Sequence, residues 1–123
     1  MEIRNLGKSG LRVSAIGLGC NNFGGRIGLE ETRAVIRKAL DVGITLFDTA
    51  DIYSDGLSEE IFGEAVQGRR HELLVSTKAT FRFGQGPNDV GSSRHHLIQA
   101  CEGSLRRLKT DYIDIYHMHG FDP

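Results

Sequence analysis

The sequence predicts an α/β fold built on a parallel sheet. Short apolar strands alternate with amphipathic helices at a pitch of roughly 30 residues, which is the spacing of strand–helix–strand units. Polar residues stand at the ends of three predicted strands, where parallel α/β folds build their ligand sites. Sixteen glycines and only two prolines suit tight turns between elements. We therefore expect one domain over residues 1–123.

The first elements are a hairpin, a strand and a helix. Residues 2–13 place apolar side chains on both sides of Gly7-Lys8-Ser9-Gly10, which is a hairpin signal. The apolar run 14–20 predicts a buried strand, which the glycines at 24, 25 and 28 end. Helical periodicity then predicts a helix over 30–42, with one apolar face formed by Val35, Ile36, Ala39 and Leu40.

The alternation continues to the end of the chain. A strand over 44–47 ends at Asp48, and Ser58 is a candidate N-cap for the next helix. The inward face of that helix is predicted to hold Ile61, Phe62, Ala65 and Val66. The remaining elements are a strand over 73–78, a loop over 81–91, a long helix capped by Ser92 or Ser93, and a strand over 112–119.

Four strands fit either a doubly wound sheet or part of a (β/α)8 barrel. A barrel needs about 250 residues, so these strands would make about half of one. A free four-stranded parallel sheet would expose two unpaired edges, which proteins normally avoid. We therefore expect interior side chains such as Phe47, Ile115 and His117 to lack partners, and the isolated chain to self-associate.

Composition narrows the classes of function. The net charge of −1 gives no reason to expect a nucleic acid or membrane-surface partner. No apolar run approaches the roughly 20 residues of a membrane helix, and the N-terminus lacks a secretory core. Cys20 and Cys101 have no CxxC partner, so free thiols in a reducing cytoplasm are expected.

Four residues at the strand ends suggest proton delivery to a carbonyl oxygen. These are Asp48, Tyr53, Lys78 and His119. Tyrosine is a weak acid with a reference pKa of about 10, and a nearby lysine ammonium makes it a better donor by stabilising tyrosinate. Asp48 would keep that ammonium charged, and a neutral His119 would donate an N–H to the substrate oxygen.

Other patterns favour less specific roles. His117 and His119 could hold a metal with Asp48, but Lys78 and Tyr53 would then have no role, so no metal site is expected. Gly17-Leu18-Gly19 lacks the third glycine of a dinucleotide fingerprint. Six other residues are expected to lie on the surface as solvated side chains: Arg69, Arg70, His95, His96, Arg106 and Arg107.

Three segments resemble the N-terminal half of an aldo-keto reductase, a barrel family that uses NADPH. They are GITLFDTADIYSDGLSEEIFG (43–63), LLVSTK (73–78) and SLRRLKTDYIDIYHMH (104–119). The resemblance implies a (β/α)8 TIM barrel of aldo-keto reductase type, of which this chain supplies the N-terminal hairpin and about the first four strands. It also implies reversible reduction of an aldehyde or ketone to an alcohol.

The same resemblance assigns roles to individual residues. Asp48, Tyr53, Lys78 and His119 would be the catalytic tetrad, with Tyr53 as the proton donor. A second set would contact NADPH: Gly19, Cys20, Asn21 and Asp48. The chain departs from the family pattern at Ser54, where glycine commonly follows the tyrosine, and at His117, where glutamine or an apolar residue is usual.

The segments that hold the nicotinamide amide and the adenosine phosphates in this family have no counterpart in the sequence. The 123-residue chain alone is therefore expected to be catalytically incomplete. Two alternatives stay open, namely a non-enzymatic regulatory relative that binds the cofactor and an inert, self-associating half-barrel.

Overall fold

The computed structural model describes the whole chain, Met1–Pro123. A two-stranded antiparallel hairpin, β1 (Ile3–Asn5) and β2 (Arg12–Ser14), precedes a four-stranded sheet. The sheet strands are β3 (Gly17–Gly19), β4 (Leu46–Asp48), β5 (Leu74–Ala79) and β6 (Ile115–Met118). The helices are α1 (Leu29–Asp41), α2 (Leu57–Ala65) and α3 (Arg94–Leu108). None of these helices combines the length and apolarity needed to cross a bilayer.

The four sheet strands are parallel and lie in chain order, β3-β4-β5-β6. One helix follows each of the first three strands. This confirms the predicted alternation, with boundaries displaced by one to three residues. Every strand therefore directs its carboxyl end to the same edge of the sheet, which brings the residues after β3, β4, β5 and β6 together.

The predicted strand over 14–20 is divided in two, which corrects that prediction. Ser14 ends β2, and its hydroxyl donates to the Ile16 carbonyl at 2.6 Å. The Ser14 backbone N–H donates to the hydroxyl of Thr45, whose own N–H donates to Ser14 Oγ. These bonds hold the chain in a bend, so that the hairpin and the sheet are separate units.

The core lies between the sheet and the helices. Phe47 is fully buried, and its ring centroid lies 5.7 Å from that of Phe62 on α2. The prediction that Phe47 lies in the open interior is wrong, because side chains alternate along a strand and Phe47 points to the helices. Ten residues form this cluster: Cys20, Phe23, Ile36, Ala39, Phe47, Phe62, Val66, Leu73, Val75 and Leu108.

The opposite face of the sheet carries no helix. Strand register aligns Leu46 with Leu74 and Ser76 with Ile115, so these side chains share one face. Leu46, Leu74 and Ile115 are only partly buried, and His117 is exposed. The polar residues at the carboxyl edge lie on this same open face.

The two predicted helix caps differ in outcome. Ser93 caps α3, because its hydroxyl accepts a hydrogen bond from the His96 backbone N–H at 3.1 Å. Ser58 is not a cap, since α2 begins after Gly56, whose φ of 92° suits glycine. Ser58 is instead fully buried and donates to the Cys20 carbonyl at 2.7 Å.

Two arginines expected to be solvated take part in ion pairs between elements. Arg107 on α3 donates to Glu59 on α2 at 2.9 Å, and that carboxylate is completely buried. Arg70 pairs with Asp114 at 2.8 Å, with both side chains at most 15% exposed. The surface prediction is also wrong for His96, which is 3% exposed. Sequence position near a helix end did not reveal the partners of the two arginines, because Glu59 and Asp114 lie 48 and 44 residues away in sequence.

Candidate active site

The carboxyl edge of the sheet gathers the four predicted catalytic residues. Asp48 is the last residue of β4, Lys78 lies near the end of β5, and His119 directly follows β6. Tyr53 begins a 3-10 turn, Tyr53–Gly56, in the connection between β4 and α2. Three successive strand–helix units thus supply one cluster.

Lys78 is the centre of this cluster. Its ammonium lies 2.7 Å from Asp48 Oδ2, 2.7 Å from the Thr49 carbonyl oxygen and 3.4 Å from the Tyr53 hydroxyl. An ammonium has three N–H donors, so each has one acceptor. The Lys78 side chain is 13% exposed and that of Asp48 is 39% exposed, which leaves the cluster open on the side of the free sheet face.

Ser76 also belongs to this cluster, although the sequence did not single it out. Its hydroxyl donates to Asp48 Oδ1 at 2.7 Å, and the residue is 2% exposed. The signal in the sequence was period 2, because Ser76 lies two residues before Lys78 on a strand and therefore on the same face. Asp48 is thus held by one donor on each oxygen.

The loop that carries Tyr53 has an unusual backbone. Ser54 and Asp55 both have positive φ, 51° and 52°, and Gly56 follows at 92°. Ser54 thus adopts the left-handed conformation that glycine adopts most readily, so the loop keeps a backbone that suits the usual glycine although a serine stands at this position. The Tyr53 backbone N–H donates to the Ala50 carbonyl, so the turn is closed on the tyrosine itself.

His119 lies between two aromatic rings. Its ring centroid is 5.7 Å from that of Tyr53, edge to face, and 4.6 Å from that of Phe81. Burial, followed by the nearby Lys78 charge, lowers the pKa of His119 below its ordinary value. The imidazole is therefore neutral at pH 7, and a neutral ring can donate one N–H. Phe81 is a neighbour of the site that sequence reasoning missed.

The residues predicted to contact the cofactor differ in what they offer a ligand. Gly19 lies opposite Asp48 in the strand register, and a Cβ there would meet only the Asn21 side chain, at 3.7 Å. Gly19 and Asn21 are exposed beside the cluster. Cys20 is 1% exposed, its N–H donates to the Asp48 carbonyl, and burial raises the pKa of its thiol to about 12. A ligand at this edge would thus meet Gly19 and Asn21 before the Cys20 thiol.

The residues present fit a nicotinamide cofactor as far as this half of a site extends. Gly19 leaves open space beside Asp48, and Asn21 supplies an amide. No group of three or more histidine, cysteine, aspartate or glutamate side chains is placed to hold a metal ion.

Comparison with known proteins assigns the chain to a family. The model of the Aldo/keto reductase family matches residues 15–123. The chain belongs to the aldo/keto reductase family. A solved aldo-keto reductase, AKR11C1 from Bacillus halodurans in its holo form, superposes with a TM-score of 0.86 at 40% identity. The chain thus has the fold of an aldo-keto reductase (β/α)8 barrel, of which it covers an N-terminal part.

The curated relatives of the chain carry different names. It is 43% identical to L-glyceraldehyde 3-phosphate reductase of Escherichia coli (strain K12) over an alignment of 129 positions, which covers 99% of the chain and 37% of the relative. It is also 43% identical to a probable voltage-gated potassium channel subunit beta of Oryza sativa subsp. japonica, over 97% of the chain and 37% of the relative. The superposition on AKR11C1 covers 98% of the chain and 41% of that structure. The chain spans about two fifths of the length of these relatives.

Proposed function

We propose that this chain supplies the proton-delivering part of an NADPH-dependent reductase. The reaction converts an aldehyde or ketone to an alcohol, and it is reversible. When bound, NADPH supplies the hydride to the carbonyl carbon. Tyr53 donates the proton to the carbonyl oxygen, and His119 orients that oxygen through its neutral N–H.

The observation that carries this proposal is the contact of one ammonium with Asp48, Thr49 and Tyr53. The ammonium stabilises the tyrosinate that remains after proton transfer, and the carboxylate keeps the ammonium charged. A lysine that only ends a strand does not need both the Asp48 carboxylate and the Thr49 carbonyl as acceptors. A tyrosine that donates a proton needs a nearby positive charge that is held in a fixed position. The family membership supports the same chemistry.

The proposal also assigns a cofactor, a substrate class, the excluded partners and a location. The cofactor is NADPH, held on this side by Gly19, Asn21 and Asp48, with Cys20 contributing as part of the backbone between them. The substrate is a small carbonyl compound, and the partners include neither nucleic acid nor membrane. The protein acts in the cytoplasm, an assignment supported by two free cysteines.

Removal of the Tyr53 hydroxyl tests the proposal. In the full-length native protein that carries these residues, Tyr53→Phe should lower kcat for aldehyde reduction by about 10²- to 10⁴-fold, the usual contribution of a positioned acid. NADPH affinity should change little, because the change removes one oxygen. NADPH oxidation at 340 nm and a fluorescence titration of the cofactor measure the two effects.

Tyr112→Phe is the matched control, because it removes the same atom from a ring that packs under Arg70, away from the site. It should leave both measurements unchanged. Full activity in the Tyr53→Phe protein would contradict the assignment of Tyr53 as donor.

A second candidate function is regulatory binding of the cofactor without rapid turnover. The relatives from rice and Arabidopsis thaliana that carry the name of a potassium channel subunit beta, at 43% and 40% identity, favour this alternative. A single-turnover measurement separates the two functions. A reductase oxidises bound NADPH as soon as an aldehyde is added, whereas a purely regulatory subunit retains NADPH in the reduced form.

A further inference from the structure

We propose that Ser76 is a positioning residue for proton transfer, acting on Tyr53 through Asp48 and Lys78. The inference rests on the proposed function of the Lys78 cluster. Ser76 makes no hydrogen bond to Tyr53, and although its side chain lies on the open face it is only 2% exposed, so a substrate on that face would not touch it. It acts by fixing the carboxylate that in turn fixes the ammonium.

The first step of the argument concerns the Asp48 carboxylate. A carboxylate on a short side chain can rotate about its last bond, because sp³–sp² torsions have broad preferences. The Ser76 hydroxyl holds Oδ1 at 2.7 Å, so Oδ2 remains directed at Lys78 at the same distance. Hydrogen bonds to charged groups are stronger than neutral ones, so this contact restrains the rotation.

The second step concerns the lysine. Two short contacts, to Asp48 and to the Thr49 carbonyl, fix two of its donors, and the third is directed at the Tyr53 hydroxyl over 3.4 Å. The third contact is the longest and therefore the most sensitive to movement of the ammonium. If Asp48 turned away, Lys78 would follow its carboxylate and the contact with Tyr53 would lengthen.

The third step is that Ser76 has no other partner. It is 2% exposed, and its only side-chain hydrogen bond goes to Asp48. Because the only hydrogen bond of this buried hydroxyl goes to Asp48, its role is to hold that carboxylate in place. The neighbouring Thr77 provides a comparison, because it is also fully buried on β5 but donates to Glu59 on the helix side of the sheet, at 2.9 Å.

The test compares three variants of the full-length native protein, each scored for kcat, for the KM of a carbonyl substrate and for thermal unfolding. Ser76→Ala removes the donor and should lower kcat, per cofactor-binding site, by about tenfold, the effect of one hydrogen bond to a charged group. The KM should stay within about twofold, because Ser76 is buried and would not touch the substrate. Ser76→Thr keeps the hydroxyl on the same carbon and should restore kcat.

Thr77→Val is the control for a merely structural role. It removes a buried hydroxyl from the adjacent position and should reduce stability without a selective loss of kcat per site. If Ser76→Ala does not fold, Ser76→Cys, with a weak donor of similar volume, takes its place. A Ser76→Ala or Ser76→Cys protein with the parental kcat would overturn the proposal, as would a folded Ser76→Thr protein that remains as slow as Ser76→Ala.

The activity of the unmodified protein distinguishes a failure of this inference from a failure of the proposed function. If the unmodified protein does not reduce any carbonyl compound with NADPH, the proposed function fails, and the role of Ser76 in it fails with it. If the unmodified protein is active and Ser76→Ala is equally active, only the inference about Ser76 fails.

Discussion

Asp51 lies two residues before Tyr53 and is 1% exposed, and neither of its carboxylate oxygens has a side-chain or backbone partner that completes a hydrogen bond. Burial and, to a smaller extent, the negative charge of Glu59 together raise the pKa of Asp51 from 3.8 to about 6, although Arg107 opposes both effects. His96 and Asp89 line the same small cavity. The Asp51 carboxylate, two residues before Tyr53, is therefore protonated at a higher pH than an ordinary aspartate.

The raised pKa of Asp51 predicts a pH-dependent stability. The folded protein binds this proton more tightly than the unfolded chain. The contribution of Asp51 protonation to the free energy of unfolding is therefore fully present below pH 3.8 and is lost as the pH rises through about 6. Asp51→Asn removes the ionisation. The change that this substitution causes in the free energy of unfolding should be more favourable at pH 8 than at pH 3.5, by roughly 2 kcal/mol.

Urea unfolding of the full-length native protein at the two pH values measures this difference. Asp111→Asn, the same change at an exposed position, is the control and should show little dependence on pH. An Asp51→Asn effect of equal size at pH 3.5 and pH 8 would mean that Asp51 ionises in the folded protein as it does in the unfolded chain.

At the scale of elements, α2 packs directly against the backbone of α3 at Gly63. A Cβ at this position would lie 2.6 Å from both the Leu108 carbonyl carbon and its oxygen. These are backbone atoms, so a side chain cannot be accommodated by a rotamer change. The close approach lets Phe62 on α2 and Leu108 on α3 share one core.

Gly63→Ala should therefore destabilise the protein by about 1–3 kcal/mol, the usual range for overpacking. Alanine stabilises a helix relative to glycine by about 1 kcal/mol. A rise in the free energy of unfolding would therefore mean that α2 and α3 move apart at little cost, which would contradict the prediction. Gly103→Ala is the matched control, because Gly103 also lies inside a helix and a Cβ there meets only the ends of flexible arginine side chains, at 3.1 Å or more. Chemical denaturation of both variants measures the difference.

The elements were predictable where local pattern decides the structure. Ile36, Ala39, Phe62 and Val66 are buried as helical periodicity indicated, and Ser93 caps α3. Ser58 was misjudged, because its partners Cys20 and Thr49 lie on other segments and only the fold brings them near. Arg107 was misjudged for the same reason, since Glu59 lies 48 residues away in sequence.

The candidate site shows the same division between local and tertiary information. The order of Asp48, Tyr53, Lys78 and His119 along the chain, together with the family resemblance, was enough to predict that they meet. The supporting contacts were not predictable in this way. Ser76 and the left-handed backbone of Ser54 depend on strand register and loop closure, which no single residue type announces.

At the scale of the whole molecule, helices cover one sheet face only. The other face leaves Leu46, Leu74 and Ile115 partly exposed, and β3 and β6 each have one unpaired edge. We therefore propose that the 123-residue chain, expressed alone, self-associates through this face and these edges. In light scattering coupled to size exclusion, the expected species is larger than the 13.6 kDa monomer.

Two lysine substitutions separate a specific association from general stickiness. Ile115→Lys, on the open face, should shift the chain toward monomer because it places a charge in the contact. Ile98→Lys, at an exposed position of α3, should not. A soluble, monodisperse 13.6 kDa species of the unmodified chain would contradict the expectation.

Every contact of the Lys78 ammonium is made within one run of 31 positions, from Asp48 to Lys78. The ammonium and its three hydrogen-bond partners are thus confined to a short, contiguous stretch of polypeptide. If Tyr53 is the proton donor proposed above, the segments that enclose a substrate can differ between relatives while this stretch stays the same. This modularity is consistent with one scaffold serving relatives as different in name as a sugar-phosphate reductase and a channel subunit.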